Sequence, residues 1–195
     1  MHAKGEKGKE SRERLLAAAV REFARSGYHE TKISTIVAEA GLTQAAFYLY
    51  FPSKEAIFAE LMADLRARLR VLADAARLRP GLSAHELPQR VETVMKMGFR
   101  FLQENADLAS IGLFVAPEAE EIKAAIVELV AANLRAEQQA GYLRSGVSPE
   151  IAAECLFGMM VRLAQSHLFP GKQSPDSLGA QCADLILHGM LGLSE

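Results

Sequence analysis

The chain has 195 residues, with 22 Lys and Arg against 24 Asp and Glu, and half of it is hydrophobic. That length buries a real core, as one large domain or two small ones, and the apolar share is too high for a disordered chain. No run reaches the ~18 uncharged residues of a membrane span, the charged start Met1-His2-Ala3-Lys4 is not a secretory signal, and Cys155 and Cys182 lack metal-type spacing and read as reduced thiols of a cytoplasmic protein.

Helical periodicity runs throughout and strand-like alternation nowhere, which predicts an all-α fold. The first helix is expected over about 11–25, with Leu15, Leu16, Ala19, Val20 and Phe23 on one stripe. Gly27 follows, where a residue without Cβ closes a helix at no steric cost. Residues 1–9, with Lys4, Lys7 and Lys9, read as a disordered basic tail. A short second helix opens at Thr31 or Lys32, with Thr31 as N-cap and Ile33, Ile36, Val37 and Ala40 inward. Beyond Gly41, Thr43 is a second N-cap for a short helix over 44–50, in which Phe47 and Phe51 face inward. Pro52 stops it, and Ser53 caps a helix reaching about Leu78.

Pro80-Gly81 breaks the chain. Helices then follow over about 85–105 and 106–114. Pro117, with Glu118, Glu120 and Glu121 behind it, opens another to about 140, the acids matching the helix dipole. Ser148-Pro149-Glu150 is an N-cap followed by proline at the first helical position, and starts a helix to about 168. After Phe169-Pro170-Gly171 a loop to Asp176 leads into a last helix over about 177–193.

Thr31 to Lys54 carries the function. Two short helices flank Ala40-Gly41-Leu42-Thr43, the pattern of a helix-turn-helix as well as of a plain helical hairpin. In the DNA-reading case the second helix presents its first residues to the major groove. Thr43 and Gln44 can hydrogen-bond base edges, and Gln suits adenine. Ala45 and Ala46 permit close approach, Tyr48 and Tyr50 offer hydroxyls to phosphates, and Lys54 adds a charge. Net charge agrees: residues 1–54 carry +3 and the remainder −5.

The run Leu15-Leu16-Ala17-Ala18-Ala19 through Phe23, then Gly27-Tyr28, Thr31, Ile33, Ile36, Ala40-Gly41-Leu42 and Phe47-Tyr48-Leu49-Tyr50-Phe51-Pro52-Ser53-Lys54-Glu55, resembles the TetR/AcrR family of bacterial transcriptional regulators over about residues 10–60. Val37 departs from the family's usual Ala, and Pro52 from a common Lys. The resemblance implies a homodimeric one-component switch, released from a palindromic operator by a small molecule. It implies base contacts at Thr43, Gln44, Ala45 and Tyr48, and backbone contacts at Thr31, Ala46 (through its main chain), Tyr50 and Lys54, with Lys32 in the same DNA-binding set. The division expected is a helix-turn-helix DNA-binding domain at 1–54 and a helical ligand-binding and dimerisation domain at 55–195.

Beyond the motif the residues say less. Met95, Phe99, Phe101, Phe114, Ile126 and Met160 are candidates for an apolar effector pocket, and equally for plain core. Arg162 and His167 are polar candidates within it, Arg162 suiting an anionic ligand or else lying on a solvent edge. The last two helices are apolar nearly all round, so each needs cover on two sides. That places Leu156, Met159, Leu163, Leu178, Cys182, Leu185 and Gly189 at a homodimer interface or in an internal helix pair. The five His show no metal spacing, and no nucleophile, P-loop or dinucleotide motif is present, so no enzyme, metal or cofactor is expected. The partners expected are inverted-repeat duplex DNA, a small-molecule effector and a second copy, with no membrane. The competing reading is a helical small-molecule-binding or adaptor protein without DNA activity.

Overall fold

The computed structural model describes residues 2–190, with side chains from residue 6 onward. Its helices are α1 (His2–Glu30), α2 (Ile33–Ala40), α3 (Gln44–Tyr48), α4 (Lys54–Ala76), α5 (Glu86–Glu104), α6 (Ala106–Ser110), α7 (Ala119–Gln139), α8 (Pro149–Leu163) and α9 (Pro175–His188). Two wider π turns, Ile111–Val115 and Ala164–Leu168, extend α6 and α8. Among the described residues there is no strand, and no helix is long and apolar enough to cross a membrane.

The chain divides into two compact units. The first takes the chain up to Arg68 together with Asp107–Ile122; the second takes Leu69–Ala106 and the chain from Lys123 on. The compact first unit therefore runs past the boundary expected at residue 54. The reason is core closure. Ile57, Phe58, Leu61, Met62 and Leu65 of α4 are buried, and the Phe58 ring stands edge-on to Phe23 at 5.1 Å and against Tyr28 at 4.5 Å. One helix with two short ones behind it buries too little apolar surface alone, and the first half of α4 completes them. Gly112 is buried against Leu65, a position where a Cβ would collide with the leucine side chain.

α1 is longer than expected. It begins at His2 instead of following a disordered tail, because Lys and Glu are good helix formers and Lys9 pairs with Glu13 one turn on (3.8 Å). Its buried stripe is Leu15, Ala18, Ala19 and Phe23, with Leu16 and Val20 at the margin. The helical path is interrupted at Gly27, whose positive φ of 79° a side chain would resist.

In the second unit α5 and α9 approach closely. Gly179 of α9 sits on the backbone of Lys96, 2.7 Å from where its own Cβ would stand. α5 starts at Glu86, close to the expected 85, with no side-chain cap from His85. Ser83 and Glu86 exchange side-chain bonds to each other's main-chain N–H groups, a reciprocal capping box. The Ser83 hydroxyl, which donates to the Glu86 carboxylate at 2.7 Å, and then the Ser83 N–H hold that carboxyl below its ordinary range. α9 begins at Pro175 rather than Ser177. Ser174 accepts from the Ser177 N–H at 3.2 Å ahead of a proline in the first turn, the same device as Ser148-Pro149. α9 closes at Gly189 (φ 76°), short of the expected end at Leu193, which lies outside the described residues.

Candidate nucleic-acid interface

The turn between α2 and α3 is set by two residues. Gly41 is left-handed (φ 62°, ψ 37°), and the N–H groups of Gly41 and Leu42 return to Ala38 and Val37 carbonyls at 3.1 and 2.8 Å, closing α2. Arg14 of α1 donates to the Ala40 carbonyl at the same helix end. Thr43 then adopts extended geometry and its Oγ1 accepts from the Ala46 N–H at 3.2 Å, starting α3. Phe47 and Phe51 are buried and lock one side of α3 to the core. The opposite side is exposed, with Tyr48 53 % accessible.

Thr43, Gln44, Ala45 and Tyr48 are thus brought together on one exposed face. Four other candidates are engaged within the protein, although Thr31 and Lys54 also border the groove that Gln44 and Tyr48 line. Thr31 is 2 % exposed, and its hydroxyl lies 2.7 Å from the Gly27 carbonyl and 3.1 Å from that of Glu22. It fastens the end of α1 and neither caps α2 nor faces solvent; the N-cap position is Lys32, which is exposed and makes no side-chain cap. Ala46 is half-buried and its N–H is already given to Thr43, which removes the expected main-chain contact. The half-buried Tyr50 turns its hydroxyl toward Gly8 of α1, 3.7 Å from the place of a Cβ there. Lys54 gives its ammonium to the carbonyls of Tyr28 (2.9 Å), Thr31 (3.0 Å) and His29 (3.3 Å), while lying 4.7 Å from the Tyr28 ring centre. An ammonium has three donors, and all three are engaged at the end of α1. An open groove of ≈ 470 Å³ runs beside α3, walled by His29, Lys32, Ser34, Gln44, Tyr48 and Pro52. His29 and Ser34 escape the sequence reading because each becomes part of the wall only through the way α1 and α2 end and begin.

Electrostatics refine the +3 of residues 1–54. Arg12 pairs with Glu60 and lies over the Phe51 ring, Arg21 pairs with Glu39, and Arg25 pairs with the buried Glu22. The arginines of α1 therefore brace the unit internally, which is why summed charge alone does not locate a docking face. Tyr28 donates to Glu55 at 3.2 Å. Burial, then the Glu55 charge, push the Tyr28 hydroxyl up. The main-chain N–H and Ser53 hold Glu55 down.

The candidate effector residues fall in both compact units. Phe114 belongs to the first unit, whereas Met95, Phe99, Phe101, Ile126, Met160, Arg162 and His167 lie in the second. Met95 and Phe99 are core, and Met160 covers the bare backbone of Gly98. Arg162 is exposed, on the outer stripe with Ile151, Cys155 and Gly158, which favours its solvent-edge reading. Of the interface candidates, Leu178 and Cys182 are only 3 % exposed, because they share the face of α9 that carries Gly179 toward α5. Leu156, Met159 and Leu163 are half-buried, and Leu185 and Gly189 are exposed. Ile151, Ile186 and Met190 join the exposed apolar set. Among the described residues no group of three or more His, Cys, Asp or Glu is placed to hold a metal ion.

Comparison with known proteins agrees with the motif. Residues 15–61 match the family described as bacterial regulatory proteins, tetR family. The chain is 46 % identical over 185 residues to YdgC, an HTH-type transcriptional regulator of Bacillus subtilis, covering 95 % of each chain. It is 25 % identical over 190 residues to BepR, an HTH-type transcriptional repressor of Brucella suis, covering 92 % of this chain and 87 % of BepR. Its fold superposes on the transcriptional regulator FadR of Bacillus subtilis, solved in complex with stearoyl-CoA, with a TM-score of 0.68, 21 % identity, and 91 % and 98 % of the two chains covered.

Proposed function

Because the chain belongs to the tetR family of bacterial regulatory proteins and is a DNA-binding transcriptional regulator, we propose that it acts as a homodimeric repressor that a small apolar effector releases from an inverted-repeat operator. The observation that carries the DNA half is the outward face of α3. Thr43, Gln44, Ala45 and Tyr48 are presented together there, while Phe47 and Phe51 hold the opposite side in the core. Gln44 reads a base edge, and Thr43 and Tyr48 flank it. Lys32 supplies charge beside the groove, which would take the sugar-phosphate backbone.

Two-fold pairing follows from the last helices. Ile151, Cys155 and Met159 on α8, with Leu185 and Ile186 on α9, leave apolar surface that a second copy would bury. The effector would be held in the second unit, where Ile126, Leu129, Val130, Leu156, Met160 and Leu163 are only half-buried. The stearoyl-CoA held by FadR makes a long acyl chain the first effector class to try.

The test selects duplexes from a random pool with the full chain and titrates the winner across salt. An inverted repeat with a steep fall of affinity with salt is expected. Gln44→Ala should cost roughly 1–3 kcal/mol, concentrated at one base pair per half-site. Equal affinity for unrelated duplexes, or a Gln44→Ala loss spread evenly over all sequences, sinks the reading. Crosslinking through the exposed Cys155 with a short bis-maleimide should trap a dimer; a chain that stays monomeric at micromolar concentration overturns the pairing.

A further inference from the structure

Leu49 is 79 % exposed, the most exposed large apolar residue among the described residues before α4. A single exposed leucine ordinarily means nothing; its position here does. Leu49 keeps helical geometry (φ −71°, ψ −23°) as the C-cap of α3, with its N–H returning to the Ala46 carbonyl at 3.3 Å. The chain therefore continues its helical path through it by a tighter i→i−3 turn past the end of α3. At about 100° per residue, Ala45 and Leu49 each lie roughly 160° round from the buried Phe47, one on either side of its antipode. Ala45 and Leu49 are one turn apart, so together they form the outermost line of α3. Gln44 and Tyr48 flank that line on one side.

We infer that Leu49 is a specificity-determining residue, which recognises thymine through apolar contact with its C5-methyl group in the major groove. The inference rests on α3 being the reading helix. A leucine offers no hydrogen bond, so against the floor of the groove it would strip water from the amino and carbonyl edges of bases without replacing it. The thymine methyl is the apolar group displayed there. Ala45, one turn earlier on the same line, carries only a methyl and leaves Leu49 room to approach. Gln44, with its amide, reads a polar edge nearby, so the two side chains would specify neighbouring base pairs by different chemistry.

The experiment compares the wild-type chain with Leu49→Ala on the operator selected by the wild type, each thymine being replaced in turn by deoxyuridine, which lacks only the methyl. Wild type should lose about four-fold at one thymine per half-site, the factor that burying one methyl-sized group is worth. Leu49→Ala should be weaker on the parent operator and indifferent to that replacement, while keeping its response to base changes opposite Gln44. Leu49→Met, which keeps an apolar reach, should restore the deoxyuridine sensitivity. The inference is overturned if Leu49→Ala binds as tightly as wild type. It is also overturned if Leu49→Ala retains the wild-type loss at every deoxyuridine. A wild-type chain that selects no duplex would instead remove the DNA-binding reading itself, and this one with it. Leu49 is exposed, so equal melting temperatures of the variants will show that folding is not what changed.

Discussion

The two compact units of this chain are held by different means. In the first, a left-handed glycine and a threonine cap set the turn within a few residues, and polar side chains tie the helices together, Lys54 closing the end of α1 and Arg21 of α1 pairing with Glu39. In the second, a close helix crossing dominates, Gly179 on the Lys96 backbone, and Ile126, Leu129 and Val130 of α7 with Leu156, Met160 and Leu163 of α8 stay half-buried. The contrast follows from the tasks proposed for them. A surface that reads DNA needs side chains held in one geometry, which caps and turns achieve within a few residues. A region that admits an effector cannot be closed everywhere, since a close-packed core has no room for a guest.

That contrast can be broken at three points. Gly179→Ala is expected to have the largest effect. The new methyl meets backbone atoms that no rotamer change relieves, costing about 3 kcal/mol, or a fall in Tm of roughly 6–12 °C for a chain of this length. A melting curve within a degree of wild type would show that α5 and α9 can part without cost. Lys54→Ala comes next. Losing its charged hydrogen bonds to the end of α1 should destabilise by roughly 1–2 kcal/mol, with the slope of log affinity against log salt unchanged. A slope reduced by about 1 would show instead that the ammonium holds a phosphate.

Glu137→Gln is expected to act least. Glu137 accepts from the Leu78 N–H at 3.3 Å, and burial is the main cause that raises its carboxyl above the ordinary value, with Arg77 opposing. A raised folded value means that the favourable contribution is present below the unfolded carboxyl range and lost as pH rises through the folded value. The glutamine keeps the acceptor without the charge. Its Tm should therefore pull ahead of the wild type as pH is raised from about 4 to 7. Parallel melting profiles across that window would show that the Glu137 charge is stabilised where it lies.

The sequence reading was strongest where a residue's role is settled by its neighbours in the chain. Gly41, Thr43, Ser53 and Ser148 act as caps or turn residues as expected, because each satisfies helix-end groups three or four residues away. The same chemistry acts at Ser83, whose capping box with Glu86 opens α5 where it is expected, and at Ser174, which ahead of Pro175 starts α9 two residues before the expected Ser177. Gln44, Ala45 and Tyr48 were placed correctly on the exposed side, since Phe47 and Phe51 define the inward one.

What the amino-acid order determined by itself was the all-helical course of the chain, the turn between α2 and α3, and the residues that α3 displays. Those rest on backbone preferences and hydrogen bonds that span a turn or less. Tertiary structure alone decided that Thr31 and Lys54 are occupied internally, that Phe114 belongs with the first unit, and that Leu178 and Cys182 face inward. A hydroxyl, an ammonium or an apolar face has the same chemistry wherever it is written in the chain. Whether a carbonyl, another helix or solvent meets it depends on residues distant in sequence, and only packing brings those together.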